Sequence, residues 1–235
     1  MHKRSILTNK FKRYFLREKQ GHVFISGTGR AGTTFIVQLM TELGLDTGYS
    51  RNEDNYKSQG VDQYFFEAAR AGFERDIFAI DNPFIVKSPY LCDHVDDVLK
   101  AGIAIRHIII PTRSVYEAAE SRRLVQRETT GASSGQGVAG GLWGTEDDQK
   151  QEEVLALKLS RLIEAAVRNE IPMTFLSFPR LVREPDYTYN KLKFLFPLTS
   201  KSYFRRAFAR RQRLDWVHDF SDSEAYDFKN PKNST

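Results

Sequence analysis

Cysteine is almost absent from this chain: Cys92 is the only one in 235 residues. A single cysteine excludes a disulfide bond within the chain and is typical of a protein from a reducing compartment. We expect Cys92 to be a small buried hydrophobic residue rather than a nucleophile.

Long apolar runs are also absent, so the sequence predicts neither a signal peptide nor a membrane span. The N-terminal segment, residues 1–20, is basic instead. Together with the scarcity of cysteine, this pattern predicts a cytoplasmic protein with no membrane span.

The excess of charge of one sign is small, with 35 Lys and Arg against 30 Asp and Glu and a net charge of +5. Such an excess favours an anionic ligand but does not predict a nucleic-acid partner. A hydrophobic content of 40% with 12% aromatic residues excludes a disordered chain. The length predicts one domain over residues 1–235, and the oligomeric state stays open.

Short apolar runs alternate with helical patterns, which is typical of a parallel sheet flanked by helices. The predicted strands are 23–26, 84–87, 103–110 and 173–178. The main predicted helices are 33–43, 92–101, 113–127 and 148–170. The sequence therefore predicts an α/β fold.

Two segments interrupt this alternation. Residues 46–63 are polar and rich in turn formers, and residues 129–147 contain five glycines between 131 and 141. A long loop inside a compact domain is usually functional or disordered. For 129–147 we keep both hypotheses, a lid over the active site and a disordered loop.

A glycine-rich segment, "GTGRAGTT" at residues 27–34, follows the first predicted strand and matches two phosphate-binding patterns. A dinucleotide-binding loop requires a further strand ending in an acidic residue about 20 positions on, and "GYSRNEDN" does not provide one. An ATP- or GTP-binding loop requires a lysine where Thr33 stands and an aspartate that helps to hold magnesium. Asp81 is the best candidate for that aspartate.

The same segment offers backbone N–H groups at a helix N-terminus, where the helix dipole favours an anion. Arg30 adds a guanidinium group that suits bidentate contact with phosphate or sulfate. The predicted anion-binding residues of this loop are Gly29, Arg30, Ala31, Gly32, Thr33 and Thr34.

Four motifs in order resemble sulfotransferases that use 3′-phosphoadenosine 5′-phosphosulfate (PAPS). "GTGRAGTT" resembles their 5′-phosphosulfate loop, and "FIVKSPY" resembles the segment that carries their essential lysine, here Lys87. "IIIPTRSVYEAAESR" resembles the 3′-phosphate motif, with Arg113 and Ser121 in the binding positions. "FLSFPRLVREPDYTYNKLKFLF" and, more weakly, "FARRQRLDWVHDF" extend the resemblance over roughly residues 22–220.

The resemblance implies a three-layer, P-loop NTPase-like sandwich with a central parallel sheet flanked by helices. It also implies transfer of a sulfuryl group from PAPS to a hydroxyl acceptor, giving a sulfate ester and 3′,5′-ADP without a metal. Arg30 and Lys87 would then neutralise charge on the leaving group. Arg113 and Ser121 are eight residues apart, about 2.2 helical turns, so both can face one 3′-phosphate.

A carboxylate base is implied for the acceptor hydroxyl. Glu53 matches its position best, and Asp54, Asp62 and Glu67 are its rivals. Pro89 stands where many cytosolic members carry a histidine base, so a histidine at that place is excluded.

The chain departs from the family pattern in two further places. Pro179 and Arg180 replace an acidic pair, and the C-terminal loop lacks its glycines, although Arg210 and Arg211 remain candidates for phosphate contact. A divergent P-loop kinase using ATP and a non-catalytic nucleotide- or RNA-binding protein stay as alternatives. Trp143 is a candidate acceptor contact, and the acceptor can be a carbohydrate, a lipid, a natural product or a peptide tyrosine.

Overall fold

A four-stranded parallel sheet forms the centre of the computed structural model, which describes residues 21–49, 72–129 and 140–217. The strands are β1 (His22–Ile25), β2 (Ile85–Lys87), β3 (Ile105–Thr112) and β4 (Met173–Ser177), in the spatial order β2-β1-β3-β4. All three strand pairs are parallel, so the predicted α/β class with a parallel sheet is confirmed.

Helices follow the strands as the alternating pattern predicts. They are α1 (Thr33–Leu43), α2 (Leu91–Lys100), α3 (Val115–Thr129), α4 (Gln151–Arg168), α5 (Arg180–Arg183), α6 (Pro185–Leu192) and α7 (Lys201–Arg211). Short 3-10 helices lie at Asp148–Lys150 and Leu214–Trp216. Among the described residues, no helix combines the length and the apolar character that crossing a bilayer requires.

The strand bounds differ slightly from the prediction, most clearly in β3. Its apolar run ends before Pro111, yet the strand continues to Thr112 because that residue pairs with Ser177 of β4. Pairing with a neighbouring strand, rather than local hydrophobicity, thus sets the end of β3.

Side chains alternate across the sheet, as the period of a strand requires. Val23 and Ile25 of β1 belong to the hydrophobic cluster that includes α1 and α7, whereas Phe24 belongs to the cluster that includes α2 and α4. Helices therefore cover both faces, which is consistent with three layers. Cys92 is buried in the second cluster, which confirms the expectation that it is a buried residue.

The parallel sheet brings the carboxyl ends of its strands to one edge. The glycine-rich loop leaves β1 there, Lys87 ends β2, and Arg113 follows β3. Ligands of open α/β sheets bind outside this edge. Three of the motifs identified in the sequence therefore meet at one end of the molecule.

An ion-paired cluster around the buried Glu42 joins α1 to α7. Glu42 of α1 accepts hydrogen bonds from Arg210 Nε at 2.9 Å and from Arg211 Nη2 at 2.8 Å. Burial of the carboxylate opposes ionisation, but the hydrogen bonds and positive charges of Arg211 and Arg210 outweigh it and lower the pKa of Glu42. The ionised form of Glu42 therefore stabilises the folded state.

Replacement of Glu42 by glutamine should lower the free energy of unfolding by about 2 kcal/mol at pH 7, because two charged and partly screened hydrogen bonds are lost. Since the folded pKa lies below the ordinary value of 4.5, this stabilisation is present above pH 4.5 and is lost as the pH falls through the folded value. Urea denaturation from pH 7 to pH 3 measures the effect.

Glu164→Gln is the matched control, because Glu164 forms an exposed ion pair with Arg168. We expect no measurable loss for this variant. If Glu42→Gln lowers the free energy of unfolding as much at pH 3 as at pH 7, the ionised form of Glu42 is not the source of the stabilisation.

Candidate functional site

A cavity of about 640 Å³ opens at the carboxyl edge of the sheet. It is lined by most of the residues that the sequence nominates, although they come from four separate segments. These are Gly29, Arg30, Gly32, Thr33, Thr34, Lys87, Arg113, Ser121 and Arg211. Ala31 is fully buried in the loop and does not line the cavity.

The loop between β1 and α1 has an unusual backbone. Gly29 and Gly32 have φ values of +68° and +86°, in the left-handed region that favours glycine. Arg30 also lies in this region, with φ +53°, which is costly for a residue with a Cβ atom. The loop thus turns sharply into α1, and Gly32 caps the helix N-terminus at the cavity.

Arg30 directly contacts two residues of the segment "RSVYEAAES" at 113–121. Its Nε donates to Ser121 Oγ at 3.0 Å, and its carbonyl accepts from Arg113 Nη1 at 3.4 Å. Arg113 also donates through Nε to Glu117 at 2.9 Å and lies over the Phe178 ring at 4.8 Å. The loop and the β3–α3 motif therefore form one connected cationic wall.

Lys87 lies at the floor of the cavity and is 5% exposed. Its Nζ donates to Thr34 Oγ1 at 3.1 Å, Glu74 Oε1 at 2.8 Å and the Gly72 carbonyl at 2.5 Å. Burial lowers the pKa of Lys87, Glu74 opposes this shift, and the charges of Arg30 and Arg122 add to it. The ammonium group is therefore buried close to other positive charges, and an additional anion would stabilise its charged form.

Arg122 is a site residue that sequence reasoning missed. Its Nη1 donates to the Gly141 carbonyl and its Nη2 to the Thr28 carbonyl, each at 2.7 Å. Burial, with the nearby charge of Arg30, lowers the pKa of Arg122 to about 9. Among the described residues, no group accepts a hydrogen bond from its Nε. Arg122 thus joins the glycine-rich loop to residues 140–144 beneath the cavity wall.

Residues 140–144 belong to the segment expected to be a lid or disordered, and they line the cavity. The backbone N–H of Trp143 donates to Gln151 Oε1 at 2.7 Å, and Gln151 Nε2 donates to the Trp143 carbonyl at 3.1 Å. Lys158 and Arg122 lie 4.4 and 5.2 Å from the centre of the Trp143 ring. This part of the segment is fixed by polar contacts, and residues 130–139 lie outside the described residues.

Other candidates are not brought to the cavity. Arg210 is directed to Glu42 and does not line the cavity, whereas Arg211 does both. Asp81 is exposed in a turn away from the cavity. The four base candidates, Glu53, Asp54, Asp62 and Glu67, lie outside the described residues.

One carboxylate that the sequence did not nominate does line the cavity. Glu74 comes from the segment before β2, and its side chain is 33% exposed beside Lys87. In the part of the chain that the structure describes, no group of three or more His, Cys, Asp and Glu side chains is arranged to hold a metal ion.

No protein-family model matches this chain, and it has no significant match among curated proteins or solved structures.

Gly29→Ala tests the contact between the loop and Arg122. A Cβ atom at position 29 would lie 2.6 Å from Arg122 Nη2, so the alanine must displace a buried guanidinium group from its carbonyl partners. Gly102→Ala is the matched control, because φ is +80° there and no atom lies within 4 Å of the added Cβ.

The control should lose about 1 kcal/mol of unfolding free energy through backbone strain alone. Gly29→Ala should lose at least about 1 kcal/mol more, because hydrogen bonds of a buried charged group are broken. Urea denaturation of both variants gives the comparison, and equal losses would show that Arg122 does not constrain the loop.

Proposed function

We propose that this protein is a PAPS-dependent sulfotransferase with a P-loop-type three-layer sandwich. One observation carries the proposal. The phosphosulfate-loop motif, the lysine motif and the 3′-phosphate motif are far apart in the sequence, yet all line one cavity at the carboxyl edge of the sheet.

The charge of the cavity supports an anionic substrate with more than one charged group. One carboxylate, Glu74, faces a larger set of cations among the described residues that line the cavity. These cations are Arg30, Lys87, Arg113, Arg122, Arg211 and Arg213. Three of them, Arg113, Arg211 and Arg213, are also paired with carboxylates that do not line the cavity, namely Glu117, Glu42 and Asp215. PAPS carries a 5′-phosphosulfate and a 3′-phosphate, so it offers two anionic groups to two parts of this wall.

The proposed reaction is an in-line displacement at sulfur. The acceptor oxygen forms a bond to sulfur while the bond between sulfur and the 5′-phosphate oxygen breaks. The electron pair of the broken bond stays on 3′,5′-ADP, and the hydroxyl proton passes to a base. Such a reaction depends on positioning and on stabilisation of developing charge.

The residues of the cavity can divide these tasks. Arg30 and Lys87 stabilise charge on the leaving phosphate, and the N-terminus of α1 with Thr33 and Thr34 holds the 5′-phosphate. Arg113 and Ser121 hold the 3′-phosphate. The acceptor is a hydroxyl compound whose class stays open, and a cytoplasmic location stays a prediction.

The alternative functions find less support in the cavity. A P-loop kinase uses a loop lysine and a carboxylate that helps to hold magnesium. Here Thr33 occupies the lysine position, Asp81 is remote, and Glu74 is paired with Lys87. For the RNA-binding hypothesis, the basic face of α7 is partly neutralised, since Arg205 pairs with Asp186.

Transfer from labelled donors tests the proposal. With sulfur-labelled PAPS, and with water, alcohols, phenols and sugars as acceptors, the protein should release labelled sulfate or ester. Arg30→Ala and Lys87→Ala should each lower the rate at least about 100-fold, because each removes a group that stabilises transition-state charge.

Arg180→Ala serves as the control, because Arg180 forms an exposed pair with Glu184 outside the cavity. Its rate should equal that of the wild type. Transfer of the terminal phosphate of ATP, without any transfer from PAPS, would replace the sulfotransferase proposal with the kinase.

A further inference from the structure

We infer that Glu74 is the general base that accepts the proton of the acceptor hydroxyl. The inference rests on the proposed function, whose reaction needs a base. The described part of the chain offers no other candidate for that base. Glu74 is the only carboxylate, and there is no histidine, among the described residues that line the cavity.

The backbone holds Glu74 at the end of β2. The backbone N–H of Arg75 donates to the Lys87 carbonyl at 2.9 Å, while Lys87 Nζ donates to the Gly72 carbonyl at 2.5 Å. Residues 72–75 are therefore bonded to Lys87 through both its main chain and its side chain. This arrangement fixes the backbone of Glu74 beside the cavity.

A strained residue beside Glu74 sets the direction of the chain. Phe73 is 2% exposed in the core, packs edge-to-face on Tyr49 with ring centres 4.9 Å apart, and has φ +65°. A left-handed conformation is costly for an aromatic residue and often marks a functional position. The turn buries the Phe73 ring, while the next side chain lines the cavity.

The distance to Lys87 places the carboxylate near the proposed reaction centre. Lys87 is proposed to act at the leaving phosphate, and Glu74 Oε1 is 2.8 Å from its Nζ. The Glu74 side chain is 33% exposed, so an acceptor can reach it. The carboxylate takes the hydroxyl proton as the oxygen bonds to sulfur, and it becomes a neutral acid that later releases the proton to water.

Among the described residues, the charged groups that interact with Glu74 are cations. Lys87 bonds it directly, Arg122 interacts with it electrostatically, and Arg30 adds positive charge near Lys87. A donor anion bound to Lys87 competes with Glu74 for the ammonium group and leaves the carboxylate to the acceptor.

Glu74→Gln separates this role from a structural one. Glutamine keeps a side-chain oxygen for Lys87 but cannot accept the proton, so kcat should fall by about 10²- to 10⁴-fold. The affinity for 3′,5′-ADP should equal or exceed that of the wild type, because the variant removes a negative charge from an anion site. Labelled PAPS with water as acceptor gives the rate, and calorimetry with 3′,5′-ADP gives the affinity.

Phenol and 4-nitrophenol are compared as acceptors. A purely structural role of Glu74 would not change the ratio of their rates. Phenol must lose its proton during the reaction, whereas 4-nitrophenol is already largely ionised at the mildly alkaline pH chosen for this assay. The variant should therefore lose much more rate with phenol than with 4-nitrophenol.

Glu164→Gln again serves as the matched control and should keep the wild-type rate. If Glu74→Gln keeps the wild-type rate, or loses rate equally with both phenols, the inference is wrong while the proposed function stands. If the wild type itself transfers nothing from PAPS, the proposed function fails and the inference fails with it.

Discussion

Crowding of positive charge at one edge of the sheet is the constraint on which the rest of the site depends. Arg30, Lys87 and Arg122 lie close enough that each of the two buried cations, Lys87 and Arg122, has its pKa lowered by burial and by neighbouring charge. Two unit charges 4 Å apart interact by about 4 kcal/mol at an effective dielectric constant of 20. Binding of an anion beside such cations therefore stabilises the folded state.

In the described part of the chain, Lys87 and Arg122 are held mainly by groups that carry no charge. Arg122 is bonded to two backbone carbonyls, at Thr28 and Gly141, and Lys87 shares its donors among a carbonyl, a hydroxyl and one carboxylate. Carbonyl and hydroxyl groups fix the geometry without cancelling the charge. The site therefore stays cationic and preorganised, which is what stabilisation of a transferring anionic group requires.

Much of the fold followed from local patterns. The strands and the helices α1 to α4 arise from apolar periodicity, and the loop, Lys87, Arg113 and Ser121 follow from short motifs. Arg122 and Glu74 do not, because their surroundings are non-local. In "ESRRL" Arg122 has the appearance of a surface charge, yet it bonds a carbonyl 94 positions away. Glu74 lies in "GFERDIFAID" at residues 72–81, where no motif singles it out, and only the pairing of residues 72–75 with Lys87 places it in the cavity.

Thermal unfolding with nucleotides tests most directly whether this cationic cavity accepts the nucleotide part of PAPS. At 100 times its Kd, a ligand stabilises the native state by about 2.7 kcal/mol, which for a chain of this size raises Tm by roughly 5–10 °C. We expect this shift with 3′,5′-ADP but not with NAD or with ADP and magnesium. No shift with 3′,5′-ADP, together with a large shift with ATP and magnesium, would contradict the account.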